Sequence, residues 1–336
     1  MLRVHFLNHA SVLIDLGEVR LLTDPWYWGD CFLGGWGLKY ENPKVWELAA
    51  TATHLWVSHF HADHFHPPTL KRLLEVNPDL IALGNDSYNF QLDQALKGLG
   101  FAHVIPFQER KAYALTPEIK LTRYPTTGID NALWIESPQG TILNYNDCNL
   151  PPLSRTWLGK RLGNIDLLLT NFNHAGKLLT FPPKSAESVK KSLREAFSHN
   201  YESFAVKHIF PFASYHYYRA PESQDQNASL LSLEELLDID DRIVPIQIGE
   251  ELHLDAQRGT VEIQAGERKD APQTVLQRAK GQDWETLQIA GNQYAKRLRQ
   301  NYGWFTRLLP RFVIEVEDLD LVTELHPRRG LTQLPA

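Results

Sequence analysis

The sequence predicts an α/β fold, and three observations carry that expectation. Short apolar segments separated by turn residues crowd the first half of the chain. From about residue 67 helical patterns alternate with further short apolar strands. Between the two regions, Ser58-His59-Phe60-His61-Ala62-Asp63-His64 directly follows the apolar run Thr53-His54-Leu55-Trp56-Val57. A polar loop at the C-terminal end of a buried strand is where α/β folds carry their chemistry.

Taken in order, Val4 to Asn8, Ser11 to Leu16 and Val19 to Thr23 read as strands joined by tight turns at Asn8-His9 and Gly17-Glu18. A long aromatic loop follows, with Trp26, Tyr27, Trp28, Phe32, Trp36, Tyr40 and Trp46. Loops of that length inside a compact domain tend to be functional. Leu70 to Val76 and Tyr88 to Leu99 have helical spacing, and Leu80 to Leu83 and Val104 to Pro106 are short strands. Ile119 to Tyr124, Asn131 to Glu136 and Thr141 to Tyr145 are strand-like, the last two joined by Pro138-Gln139-Gly140. Ile165 to Asn171 and Val206 to Phe212 are buried strands flanking an amphipathic helix over Ser185 to Ser198, with Ser185 as its cap. Residues 257–282 are polar and weakly patterned, which suits a linker or a peripheral element. Asp283 to Leu309 reads as a helix with Trp284, Leu287, Tyr294 and Leu298 on one face and Lys296, Arg297 and Arg299 on the other. The expected domains are 1–255, and a C-terminal extension over 256–336 packed on it.

Composition narrows the function. The 336 residues are 43% hydrophobic, and 34 basic against 40 acidic side chains give a formal charge of −6. No general basic footprint for nucleic acid exists. Two distant cysteines, Cys31 and Cys148, form no disulfide framework and suit a reducing compartment. The start lacks the pattern of a signal peptide, and no apolar stretch approaches the ~20 residues that span a bilayer. A cytoplasmic protein with no membrane partner is the expectation.

The histidine-rich loop carries the chemistry. Imidazole suits Zn, Fe, Cu or Ni, and a carboxylate adds charge and a hard oxygen. In an extended loop His59 and His61 point one way, while Asp63 and His64 follow the turn and can face a second ion. A two-metal site needs further donors. Asp24 closes the strand Leu21-Leu22-Thr23 and is a candidate to orient the cluster from behind. Asp147 lies just past the strand ending in Asn146, where its two oxygens could bridge two cations. His174 and His216 each follow a buried strand and are candidate ligands. Of the remaining histidines only His9, in a turn near Asp24, stands out. The run Tyr215-His216-Tyr217-Tyr218-Arg219 either lines a pocket or packs a strand end.

These elements together resemble the metallo-β-lactamase fold. The signature His-x-His-x-Asp-His of that family stands here as His59, His61, Asp63 and His64, and its later Asp matches Asp147. Thr23-Asp24-Pro25-Trp26, Gly35-Trp36, Trp46, Pro68-Thr69-Leu70-Lys71, Leu143-Asn144, Asp147-Cys148 and Pro211-Phe212-Ala213-Ser214-Tyr215 fall in the order of the CMP-N-acetylneuraminate hydroxylase-like proteins. The resemblance implies a four-layer αββα sandwich with a C-terminal helical extension. It implies two divalent metal ions, iron preferred and zinc the alternative, and a small-molecule substrate such as an N-acyl sugar or sugar nucleotide. His59, His61, Asp63, His64, Asp147, His174 and His216 are then the metal ligands, with catalytic roles for Asp63 and His216. Asp24 and His9 lie behind them, and Trp26, Trp28, Trp36 and Tyr215 shape the pocket.

The chain departs from that pattern twice. Cys31 and Cys148 stand in no pairing of two Cys with two His, so the Rieske module of those hydroxylases is expected to be missing and a separate ferredoxin or reductase to deliver electrons. The His expected before Asp147 is also missing. Thr126 stands in its place, with His174, His216 or Asp130 as substitutes. Two reactions follow: hydroxylation at a di-iron site, or hydrolysis of an ester, amide or phosphodiester by metal-activated water that Asp63 orients.

Overall fold

Along the first strands, side chains alternate between two apolar clusters. Leu2, Val4, Phe6, Val12, Ile14 and Leu21 belong to one, and Leu7, Leu13 and Leu22 to the other. A period of two with apolar residues on both sides is what a sheet covered on both faces requires. In this computed structural model the described residues are all except 85, 88, 89, 127, 176–183, 277–282, 304, 305, 307–309, 317–320, 335 and 336. The chain divides into two compact units, Met1–Leu276 and Gln277–Ala336.

Two sheets build the first unit. The eight-stranded one runs Val104–Ile105, Ile81–Leu83, His54–Trp56, Arg20–Thr23, Ser11–Asp15, Leu2–Asn8, Glu251–Asp255, Thr260–Gln264. Its first four strands are parallel and the rest antiparallel. The six-stranded sheet runs Tyr113–Ala114, Lys120–Pro125, Asn131–Ser137, Gly140–Asn146, Asn164–Thr170, Ala205–Pro211. Leu121, Leu133, Ile135 and Leu143 of the second sheet share a core with Val4, Phe6, Val12 and Ile14 of the first.

Helices Val45–Ala49, Pro67–Val76 and Leu92–Leu99 send Val45, Leu70, Leu73, Leu92 and Leu96 into the cluster that holds Leu13 and Leu22, covering the first sheet. Pro152–Leu162 and Ala186–Tyr201 are the crossovers between the parallel strands of the second sheet, whose right-handedness puts both on one face. The result is the four-layer αββα order. Capping sets the helix starts: the Ser185 hydroxyl accepts from the Ser188 N–H at 3.2 Å, and His66 Nδ1 accepts from the Thr69 N–H at 3.3 Å ahead of Pro67 and Pro68. Gly159 lets Pro152–Leu162 approach closely, since a Cβ there would collide with the Ser203 carbonyl.

Several elements differ from expectation. The helix read over 88–99 is observed at Leu92–Leu99, preceded by the short strands Asp86–Ser87 and Phe90–Gln91; residues 88 and 89 lie outside the described residues. Within 257–276, Thr260–Gln264 forms an edge strand of the first sheet, and Lys269–Asp270 pairs with Tyr40–Glu41. Val261 and Ile263 supply its apolar alternation, too short to stand out in a polar segment.

The second unit holds a helix, Trp284–Tyr302, and an antiparallel sheet of Phe312–Val316, Leu321–His326 and Gly330–Gln333, none of which was among the expected strands. Asp283 caps the helix by accepting from the Thr286 N–H at 2.8 Å. The helix stops at Gly303, in the left-handed region, rather than running to Leu309, which is outside the described residues. Its buried face is centred on Ala295, with Trp284 and Leu287 against Leu325 and Leu331, whereas Tyr294 is 53% exposed. No described helix is long and apolar enough to cross a membrane.

Candidate metal centre

The candidate ligands come from one edge of the two sheets. His59, His61, Asp63 and His64 lie on the loop after His54–Trp56; Asp147 follows Gly140–Asn146; Asp130 immediately precedes Asn131–Ser137. His9 turns between the first two strands, and Asp24 follows the third. Among the described residues three donor groups result, each with ligand atoms within 4.8 Å of one another: His9, Asp63 and His64; His59, His61 and Asp130; His59, His64 and Asp147. Within them His59 Nε2 lies 2.8 Å from His61 Nδ1 and 3.4 Å from Asp130 Oδ1. His64 Nε2 lies 3.1 Å from Asp147 Oδ2 and 3.5 Å from Asp63 Oδ2, and His9 Nε2 is 3.2 Å from Asp63 Oδ2.

His9, His59, Asp63 and His64 are buried, Asp130 and Asp147 half-buried and His61 exposed, and the electrostatics follow from that. Burial, then the neighbouring His64, pushes the His59 imidazole down to about 3, so it is neutral and its lone pair is available. His64 moves the other way: although burial opposes it, Asp63, Asp147 and Asp24 hold its imidazole well above the ordinary value. Burial likewise penalises the Asp63 carboxylate, but His64 and His9 outweigh it and keep the group ionised. Asp130 is pushed up to about 6, by burial first and the Asp147 charge second.

A hydrogen-bonded shell fixes these side chains. Asp24 Oδ1 accepts the Ser58 N–H at 2.7 Å, and its Oδ2 lies 3.2 Å from His64 Nδ1. The Ser58 hydroxyl is 2.9 Å from His59 Nδ1. Asn131 Nδ2 donates to the Ser58 carbonyl at 2.8 Å, while its Oδ1 accepts from the buried Arg123 Nη1 at 2.7 Å. Asn171 Nδ2 donates to Asp147 Oδ1 at 3.2 Å. His9, Asp24, Asn146 and Ala213 all have left-handed backbones, with φ of 36°, 37°, 35° and 53°. Such non-glycine outliers cluster at functional sites.

Aromatic rings close one side. His216 stacks on Trp36 at 3.7 Å and 7°, its ring 5.7 Å from that of His9, and Trp26 sets its edge to His9 at 5.3 Å. His216 is outside the three donor groups, yet it is buried and neither of its ring nitrogens has a hydrogen-bond partner. The structure does not bring His174 into the cluster. Its Nε2 lies 3.0 Å from the Ser229 hydroxyl and its Nδ1 2.9 Å from the Tyr218 hydroxyl. Trp28 is 47% exposed, and Tyr215 packs edge-on against Phe6 and Phe172 in the inter-sheet core. Sequence reasoning passed over Ser58, Asn131, Arg123 and Asn171, none of which carries a motif; it named Asp130 only as one substitute among three.

The donor set fits bound cations. His9 Nδ1, Asp63 Oδ1, Asp130 Oδ1 and both His216 nitrogens are buried without a hydrogen-bond partner. Each such atom costs about 1–3 kcal/mol if nothing meets it. Imidazoles interleaved with carboxylates are what a first-row divalent ion takes, and an ion beside His64 would displace the proton that Asp63, Asp147 and Asp24 now favour.

Fold and site together define a metallo-β-lactamase-fold protein with side chains placed to hold metal. The chain belongs to the beta-lactamase superfamily domain family, whose model matches residues 3–195. Cytidine monophosphate-N-acetylneuraminic acid hydroxylase from Mus musculus is 29% identical over 236 residues, covering 63% of this chain and 39% of the relative. This chain thus spans well under half the length of that relative. Among solved structures, CmlA, a diiron beta-hydroxylase from Streptomyces venezuelae, superposes with a TM-score of 0.53 at 15% identity, covering 74% of this chain and 53% of that one. A possible metal-dependent hydrolase from Veillonella parvula gives a TM-score of 0.53 at 14% identity, covering 76% and 99%. Both likenesses establish the fold. Among the relatives are hydroxylases, one of them, from Homo sapiens, inactive, and a metallo hydrolase from Ignicoccus hospitalis.

Proposed function

We propose that this chain is a di-iron hydroxylase that acts on a small molecule, an N-acyl sugar or sugar nucleotide, with electrons from a separate ferredoxin or reductase. One observation carries the reading: Asp130, a carboxylate rather than an imidazole, completes a group with His59 and His61. The donor set therefore holds three carboxylates, Asp63, Asp130 and Asp147, a mixture that suits iron better than an all-imidazole site. The hydroxylase relatives support the same choice.

Iron held by these residues would supply the redox steps that activate dioxygen. The protein's own groups do the rest. His59 stays neutral and available as a ligand, and Asp63 stays ionised, oriented by His9. Asp130, pushed up to about 6 by burial and the Asp147 charge, is the carboxylate of the donor set that takes a proton most readily before an ion binds. Trp26 and Trp36 keep water from the His9 and His216 side. The second reading, a zinc hydrolase, rests on the ionised Asp63, which is placed to orient a water.

Anaerobic reconstitution with ferrous iron, then oxygen-uptake measurements with a ferredoxin and reductase pair, tests the proposal. Two irons per chain and substrate-dependent uptake are expected. Zinc-loaded protein that cleaves esters, amides or phosphodiesters, with no uptake by the iron form, would replace it with the second reading.

A further inference from the structure

A small cavity borders the turn between Ala205–Pro211 and His216, walled by Lys39, Tyr40, Ser214, Tyr215, Glu234 and Arg268 among others. Its volume of about 20 Å³ suits one sphere the size of a water or a chloride ion, and no more. Two buried hydroxyls border it. That of Tyr215 has no hydrogen-bond partner, and burial pushes its pKa far up, so it stays a donor. The Ser214 hydroxyl oxygen accepts the N–H groups of Phe172 at 2.8 Å and Asn173 at 3.0 Å, which leaves its own hydrogen to donate. Two cations complete the wall. The Arg268 guanidinium lies 4.4 Å and the Lys39 ammonium 5.7 Å from the Tyr40 ring centre. Among the described residues neither makes an ion pair. Burial pushes the half-buried Lys39 ammonium down; Glu234 offsets this only in part, and the Arg268 charge adds to it. Glu234 is the one carboxylate on the wall. It is exposed, and its own N–H and the Ser232 hydroxyl occupy it. Two cations against one carboxylate leave one positive charge in surplus.

We infer that this cavity binds a single monovalent anion of chloride's size, which accepts from the Tyr215 and Ser214 hydroxyls and lies between the charges of Lys39 and Arg268. Four donors border a space for one acceptor. A water there would have to find acceptors for its own two hydrogens as well, whereas an anion only accepts. The surplus charge matches a monoanion, and the volume excludes sulfate and phosphate. The site adjoins the segment that carries His216 without sharing a donor with the metal centre. The Lys39 N–H donates to the Tyr215 carbonyl at 3.0 Å, and the Ala213 N–H donates to the His9 carbonyl at 2.7 Å. A bound anion therefore ties the Ser214–Tyr215 corner to the Lys39 side chain as well as to its backbone. The inference needs no particular reaction at the centre.

Bromide tests this, because it scatters anomalously and matches chloride in charge and closely in size. Crystals of the metal-loaded full chain, grown without chloride and soaked in sodium bromide, are expected to show an anomalous peak beside Tyr215 Oη and Ser214 Oγ, and none there in Tyr215→Phe. In solution, chloride replacing gluconate at fixed ionic strength is expected to raise the melting temperature by about 2–4 °C. Tyr215→Phe removes one hydroxyl and keeps the ring against Phe6 and Phe172. It is expected to match or exceed the parent in gluconate, where the hydroxyl has no acceptor, and to fall below it in chloride. Lys39→Met and Arg268→Met, the latter on an exposed side chain, are each expected to lose about half of the chloride shift or more. Halide taken up by a metal ion would persist in all three variants and is told apart in that way. A water in the cavity with bromide only elsewhere, no chloride shift in the parent, or a shift undiminished in the variants overturns the inference.

Discussion

The two sides of the metal centre are built differently. The His9, Asp63 and His216 side is buried and walled by Trp26 and Trp36, while the His59, His61 and Asp130 side includes the exposed His61 and the half-buried Asp130. The walled side is enclosed by aromatic rings. The open side holds the one carboxylate of the donor set that burial and the Asp147 charge push up.

Breaking the walled side should have the largest effect. Asp63→Asn removes the ionised group that His64 and His9 share, and elemental analysis should show about one metal fewer per chain, with activity down by ~100-fold or more. Trp36→Ala strips the ring stacked on His216 and opens a cavity; chemical denaturation should show a loss of about 3–5 kcal/mol. On the open side, Asp130→His exchanges the carboxylate that joins His59 and His61 for an imidazole. In competitive loading it should move preference from iron toward zinc by about tenfold. Asn131→Ala loosens both sides together, because Asn131 ties Arg123 to the Ser58 carbonyl; a stability loss of about 1–3 kcal/mol is expected.

A site remote from both serves as reference. Asp166 accepts from Thr141 at 2.8 Å and pairs with Lys207 at 2.7 Å, and although burial opposes it, Lys207 holds its carboxyl below the ordinary value. Its contribution is complete above the unfolded value near ~4 and is lost as pH falls through the lower folded one. Asp166→Asn should therefore cost about 1 kcal/mol at pH 7, the difference from the parent closing under acid.

Much of this was legible in the sequence, for physical reasons. His59, His61, Asp63 and His64 lie within six residues, so one loop brings them together whatever the rest does. The buried strands announced themselves because both faces are apolar. What was hidden depends on distant chain segments. His174 looks like a ligand by position, yet Tyr218 and Ser229 take its nitrogens. Asp130 joins the cluster through the pairing of Asn131–Ser137 with its neighbours, which spacing cannot reveal. The edge strand Thr260–Gln264 and the strand Gly330–Gln333 are short, with too few apolar positions to outweigh their polar neighbours, whereas Phe312–Val316 is apolar at all but Glu315 and was legible as a strand.

The left-handed turns at His9, Asp24, Asn146 and Ala213 carry a thermal consequence. Each holds a conformation that costs on the order of 1 kcal/mol or more and persists only while the adjoining strands clamp it. Warming should relax these corners before the sheets separate. Inactivation and ion loss should then set in several degrees below the melting transition, as a local opening rather than a global one.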